Sequence, residues 1–206
     1  MLRYADKLSE GAQEMWIQLR KLEKQRFIPI HTLCAKLGVT FCRVLLKAYI
    51  ASGCDWLTHI GSKLASLKAD PVKYLQDFGE DSTPSKELLE DLEEYLVKIY
   101  KPNAELKTFD ELRYNKYQSK VSIVELPPSS YCMARGHMRR LLYLVYTCVH
   151  LHDFPEVLNP MDFGWVEEGG MLMQHNEWNL LPEYLTSKCG CELCKSNRCG
   201  CKKTGN

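Results

Sequence analysis

Residues 85–100 carry the pattern that most restricts this chain. Leu88, Leu89, Leu92, Tyr95, Leu96 and Ile99 recur at three- and four-residue intervals, with the acids on the opposite side, so the spacing predicts an amphipathic helix. Pro84 suits the first turn of such a helix, with Thr83 or Ser85 as its cap. The stretch EDSTPSKELLEDLEE at 80–94 holds seven acids against one lysine, a composition that fits a solvated helix face better than a metal site. The same acidic face is also a candidate protein-contact surface.

The flanking segments read mainly as helix. FDELRYNKYQSK predicts a further helix, LPPSS at 126–130 breaks the chain, and residues 133–151 form an apolar helix that begins with Arg135, Arg139 and Arg140. Basic charge at a helix N-terminus opposes the dipole, so these arginines are expected to meet an anion or the acidic helix. The apolar run LLYLVYTCVHL is eleven residues long, and a membrane span needs about eighteen, so it reads as a buried helix and no membrane association is expected. Upstream, Pro29 and Gly38 bracket one short helix, and VTFCRVLLKAYIASGCD is an apolar helix turning at Gly53. Residues 1–26 are charged, with Met15, Ile17, Leu19 and Leu22 loosely on one side, and are expected to be helical. Near the C-terminus the sequence is irregular apart from FGWVEEGGMLMQ, a hairpin candidate turning at Gly169 and Gly170. Trp165 and Trp178 are expected to pack on the helical body. The expected fold is therefore mostly α. It comprises an N-terminal helical segment (1–26), a helical body (27–155), an irregular hairpin linker (156–185) and a cysteine-rich tail (186–206).

That tail holds Cys189, Cys191, Cys194, Cys199 and Cys201, half of the chain's ten cysteines, in the order C-x-C-x2-C-x4-C-x-C. Thiolates so closely spaced let one loop wrap a zinc ion, and the C-x-C steps suit a cluster in which one thiolate bridges two ions. The alternative is a set of free or oxidised thiols, which a reducing compartment and the tight spacing disfavour. The N-terminus has no apolar segment of the secretory kind, so a nuclear or cytoplasmic protein is expected, not a secreted one. His175 could add a ligand or be an ordinary loop histidine. The tail is also basic, through Lys195, Arg198, Lys202 and Lys203, whereas the whole chain carries a net charge of only +1. That balance argues against a globally basic nucleic-acid binder but allows a local patch. The segment CGCELCKSNRCGCKKTGN resembles the first half of a tesmin/TSO1-like CXC domain. The family's second half does not follow, so the resemblance implies a chain cut short relative to its relatives. It also implies zinc binding and DNA contact.

A second segment, SGCDWLTHIGSKLASLKADPVKYL, resembles the helix–two-turn–helix of the flap-endonuclease, PIN-like nucleases. Gly53 and Asp55 match one element of that motif, and Ile60, Gly61, Lys63 and Ala65 match the other, while His59 replaces a family glycine. The resemblance implies that Asp55 is a metal ligand. Independently of family, a glycine turn opening a helix lets backbone N–H groups approach phosphate. Gly61, Ser62, Lys63 and Lys68 are thus candidate nucleic-acid contacts. Two-metal nuclease chemistry needs several carboxylates converging from separate strands, and the sequence before Asp55 has no apolar strand followed by an acid. Asp55 is accordingly expected to be an orphan ligand.

Over residues 27–206 the order SGCDWLTHIGSK, FGWVEEGGML, EWNLLPEYL and cysteine tail is similar to a group of proteins tied to animal mobile elements. Ser129, Ser130 and Cys132 in LPPSSYC lack a nucleophile motif and read as a polar loop. The leading expectation is a non-enzymatic nucleic-acid-binding protein with DNA and an unknown protein as partners, zinc as cofactor and no small-molecule substrate. The rivals are an incomplete metal-dependent 5′-nuclease and a helical protein-interaction module.

Overall fold

Met15, Ile17 and Leu19 are spaced by two, and that spacing builds a strand. In the computed structural model, which describes residues 14–21, 24–102, 105–119, 126–150 and 157–174, β1 (Trp16–Lys21) pairs antiparallel with β2 (Lys24–Pro29), Ile17 opposite Ile28. The helix expected over 1–26 is therefore replaced, where the chain is described, by a hairpin. Met15, Ile17 and Ile28 lie against a small apolar cluster of Ile30, Cys34 and Cys42, and this one-sided burial at period two outweighs the helix-forming composition of the segment. The hairpin also runs through the expected boundary at residue 26.

Pro29 ends the strand and caps α1 (Ile30–Leu37), which stops at Gly38, where φ is 79°. α2 (Val39–Ala51) follows directly. Two short helices come next, α3 (Lys63–Lys68) and α4 (Pro71–Leu75), capped by the side chains of Ser62 and Asp70. The long amphipathic helix α5 spans Lys86–Tyr100, with the Ser85 hydroxyl accepting from Leu88 N–H at 3.2 Å. Ser85 is thus the cap, and Pro84 stands one residue before it rather than inside the first turn. Leu92, Tyr95, Leu96 and Ile99 are buried, as their spacing predicts, and Leu88 and Leu89 are half-buried.

α6 (Phe109–Gln118) begins where α5 supplies a cap. Glu93 accepts from Phe109 N–H at 2.8 Å, the Ser130 hydroxyl accepts from Asp110 N–H at 3.0 Å, and the Thr108 hydroxyl accepts from Glu111 N–H at 3.2 Å. Three otherwise orphaned donors are satisfied by three different side chains, which fixes α6 against both neighbours. In return, Asp110 accepts from Ser130 N–H at 3.0 Å.

The apolar helix expected over 133–151 starts at Ser130 and has an interruption. α7 (Ser130–Met133) leads into a π-helical turn at Ala134–Met138, and α8 (Arg139–Val149) completes it. Three consecutive residues of this wider turn, Gly136, His137 and Met138, are buried. Leu141, Leu142, Val145 and Val149 then pack with Val44, Ala48 and Ala51 of α2 and the buried stripe of α5 in one continuous core. Each buried leucine or valine among them contributes about 1.5–3 kcal/mol by leaving water.

A 3-10 turn at Pro160–Phe163 precedes the second hairpin, β3 (Trp165–Glu168) and β4 (Met171–Gln174), which turns at Gly169 and Gly170 as predicted. Their φ values of 60° and 79° are the mirror-image turn that matches strand twist and that glycine adopts without strain. The arginines that open the long helix make hydrogen bonds to backbone carbonyls and to a hydroxyl. Arg139 donates to Asp162 O and the buried Arg140 donates to Gly164 O at 3.0 Å, while Arg135 donates to the Tyr131 hydroxyl at 2.6 Å. Trp165 is buried beside Tyr143, in line with the packing role expected for it. The described chain is mostly helical with two small hairpins, and no helix among the described residues is long and apolar enough to cross a membrane.

Candidate nucleic-acid interface

The segment from Gly53 to Lys68 wraps the end of α2 and enters α3. Ile60 is buried, and Ile60 N–H donates to Ser52 O at 3.3 Å, closing the turn. Gly61 then packs against the last turn of α5. A Cβ placed there would lie 2.6 Å from the Ile99 carbonyl oxygen and 2.7 Å from its side chain. The absence of a side chain at 61 thus serves a helix-to-turn contact within the protein. Ser62 is the N-cap of α3, its hydroxyl accepting from Ala65 N–H at 3.0 Å.

Lys63 turns inward. Its ammonium donates to Tyr49 O at 2.7 Å and to Gly53 O, and lies 3.8 Å from the centre of the Tyr49 ring. Burial lowers its pKa, with Cys54 and Asp55 acting in the opposite direction. These contacts tie carbonyls at the C-terminal end of α2 to α3, so Lys63 holds the turn in place. Asp55 is exposed in the tight turn closed by the Cys54–Leu57 bridge. No group of three or more His, Cys, Asp or Glu side chains able to hold a metal occurs among the described residues, at Asp55 or elsewhere. Beside Asp55, β4 is fastened to the same loop by Gln174, which accepts from the Thr58 hydroxyl and donates to Trp56 O, both at 3.0 Å.

On the outer side of α3 lies a cleft of about 620 Å³, bounded by α3, α4 and the end of α5. Its rim carries Lys68, Lys73 and Lys98, and its walls include Ser62, Tyr74 and Asp70. Of the four contacts expected around the turn, it gathers Ser62 and Lys68, while Gly61 and Lys63 support it from behind. Lys73 and Lys98, which the sequence did not single out, complete it.

Tyr74 organises the floor. Its hydroxyl donates to Glu94 at 2.6 Å and accepts from Lys73 at 2.9 Å and from Lys98. Lys98 also donates to Glu94 at 2.8 Å, an i to i+4 pair within α5. Two ammonium groups therefore converge on one phenol oxygen. Hydrogen bonds to Glu94 and then Tyr74 raise the pKa of Lys98, and the bond to Tyr74 raises that of Lys73, so both stay charged at neutral pH. The same lysine and phenol donors lower the pKa of Glu94. Asp70 caps α4 through Lys73 N–H at 3.4 Å. The three ammonium groups exceed Asp70 and Glu94 by one positive charge, the charge of one phosphodiester.

The scaffold under the cleft is a buried polar knot. The Ser66 hydroxyl donates to Ala48 O at 2.6 Å and lies 2.7 Å from the Tyr95 hydroxyl, joining α2, α3 and α5. Burial pushes the Tyr95 phenol up to about 12. The sequence carries only local marks of these two lysines, and neither mark joins them to the cleft. Lys98 follows Glu94 by one helical turn on the half-buried side of α5, and Lys73 follows the cap of α4.

Cys189, Cys191, Cys194, Cys199 and Cys201, with Lys195, Arg198, Lys202, Lys203, His175 and Trp178, lie outside the described residues. No family model, curated protein or solved structure was found to match this chain.

Proposed function

We propose that this protein binds the phosphate backbone of nucleic acid without cleaving it, using the lysine cleft between α3, α4 and α5 together with the basic, zinc-holding tail. The observation that carries this reading is the convergence of Lys68, Lys73 and Lys98 on one open cleft with a small positive surplus. Lysine ammonium groups contact phosphate as point charges, and such contacts position a nucleic acid without reading its sequence. The zinc tail supplies further basic contacts near the chain end. Asp55 is exposed and belongs to no group of three or more metal-ligating side chains among the described residues. A fluorescently labelled duplex titrated with the full chain tests it: Lys73→Glu should weaken binding several-fold on unrelated sequences alike. Equal binding by wild type and Lys73→Glu would refute the role of the cleft.

A helical protein-interaction role is favoured by a separate observation. Tyr114 and Tyr117 on α6 and Tyr131 on α7 are each about 60% exposed. Tyrosines with a wet hydroxyl and an apolar ring are common at interfaces. Failure of DNA binding, with a co-purifying partner lost on Tyr114→Ala and Tyr117→Ala, would favour this role over the first.

A further inference from the structure

The lysine cleft offers more than charge. Its volume of about 620 Å³ lies in the range of roughly 300–1,000 Å³ typical of pockets that enclose a whole small molecule, and one phosphate group leaves much of it unfilled. The side contributed by α3 is largely apolar. Leu64, Ala65 and Ala69 line it next to Lys68, and Pro102 lines the cleft just beyond the end of α5. Ala65 and Ala69 also pack against the main core, whereas Leu64 is 60% exposed and belongs to neither apolar cluster among the described residues. Leu64 is thus apolar surface left open on the cleft wall. The side contributed by α4 and α5 is cationic. Lys73 and Lys98 both donate to the Tyr74 hydroxyl, so one phenol oxygen holds the two ammonium groups close enough to face one phosphate together.

Apolar surface and paired cations in one open cleft match a nucleotide, whose phosphate is anionic and whose base has apolar faces. In a duplex those faces are stacked inside, and only phosphates, sugars and groove edges reach a protein. In a single strand the faces are free. Resting on the phosphate-binding reading above, we infer that the cleft takes one unpaired nucleotide of a single strand, with its phosphate on Lys73 and Lys98 and a face of its base on Leu64. Every base has such a face, so the preference is for the unpaired state and not for a sequence. Charge alone would favour the opposite outcome. Counterion release is stronger from a duplex than from a single strand, so lysines by themselves bind the duplex more tightly. A preference for single strand therefore reports the apolar contact.

The test titrates the full chain into a fluorescently labelled oligodeoxythymidine and, separately, into a duplex of the same length, at several salt concentrations. The readout is the ratio of the two affinities. The single strand should bind several-fold tighter, and the ratio should rise with salt as the electrostatic share of both affinities falls. Leu64→Ala should remove most of this preference, and Leu64→Phe should increase it, because a ring adds stacking area for the base. Leu64 lies outside both clusters, so neither change enters a core. A single strand of the same length built without bases should bind wild type without the preference, a result that depends on no variant. A single strand bound no tighter than the duplex would overturn the inference. So would a ratio that Leu64→Ala leaves at its wild-type value, or equal binding of strands with and without bases. Lys73→Glu separates this failure from failure of the phosphate-binding reading. If the preference is absent but Lys73→Glu weakens both probes, phosphate binding stands and only the nucleotide pocket falls. If Lys73→Glu weakens neither probe, the phosphate-binding reading itself fails.

Discussion

Gly61 and the Ile99 carbonyl approach so closely that a single methyl group on residue 61 would lie 2.6 Å from that oxygen. The approach sets the entry turn of α3 on the last turn of α5, and with it the separation of Lys68 from Lys98 across the cleft. Gly61→Val is therefore expected to destabilise the fold by about 1–3 kcal/mol, the usual cost of forcing atoms into a packed contact. Urea denaturation measures it directly. An unchanged midpoint would mean that the turn has room to move, and that the glycine is there for some other reason.

Lys63 and Lys68 are five residues apart on the same short segment and should behave oppositely. Lys63→Met removes the hydrogen bonds to Tyr49 O and Gly53 O and the charge over the Tyr49 ring. A loss of about 1–2 kcal/mol in stability is expected, since the two carbonyls are left at a helix end. Lys68 is exposed, so Lys68→Met should leave the melting temperature nearly unchanged while weakening nucleic-acid binding. A pair of thermal melts with parallel binding assays separates the two roles. Equal stability of both variants would contradict the inward placement of Lys63.

His137 supplies a pH dependence with a defined sign. Burial first, then the charge of Arg140, lowers its pKa from 6.5 to about 3, against a small opposing effect from the Ala51 backbone, although neither ring nitrogen is within good hydrogen-bond geometry. The folded state therefore keeps the ring neutral while the unfolded chain takes up a proton below its ordinary value. The stabilisation is complete above about pH 6.5 and is lost as pH falls toward 3, at up to about 1.4 kcal/mol per pH unit. Urea unfolding between pH 7.5 and 5 should show this decline in the wild type, and His137→Leu should flatten it. Parallel curves for the two proteins would show that His137 is not held neutral.

Legibility from sequence followed the reach of the signals. The long amphipathic helix was plain because its stripe repeats over four turns, and the glycine pair at 169 and 170 announced the second hairpin through its backbone requirement. The first hairpin was misread because charged, helix-forming residues masked the period-two spacing of Met15, Ile17 and Leu19. Its true sign is the apolar cluster around Cys34 and Cys42, which only tertiary contact reveals. The site shows the same division. Ser62 and Lys68 were legible as neighbours in the chain. Lys73 and Lys98 were not, because the hydroxyl of Tyr74 brings together lysines from two helices 25 residues apart. Gly61 and Lys63 were singled out for their chemistry, and their partners within the fold could not be read from local sequence.

Zinc is expected in the tail on the strength of the C-x-C-x2-C-x4-C-x-C spacing. Protein purified without chelator should carry about one zinc ion, held by four thiolates in tetrahedral geometry with one thiolate shared or left over. Acidification should release it, because protons compete for the sulfur. Elemental analysis that finds no zinc, together with five freely titrating tail thiols, would contradict this.

The central claim is that Lys68, Lys73 and Lys98 hold nucleic-acid phosphate, and the salt dependence of duplex binding tests it most directly. With about four phosphate contacts shared between cleft and tail, log K should fall against log salt with a slope of roughly −3 to −4. Lys68→Glu and Lys73→Glu should each weaken binding on every sequence and flatten the slope by about one unit. Binding that is indifferent to salt, or that survives both cleft substitutions while substitutions at Lys195, Arg198, Lys202 and Lys203 abolish it, would contradict the claim and leave the cleft without a role in binding.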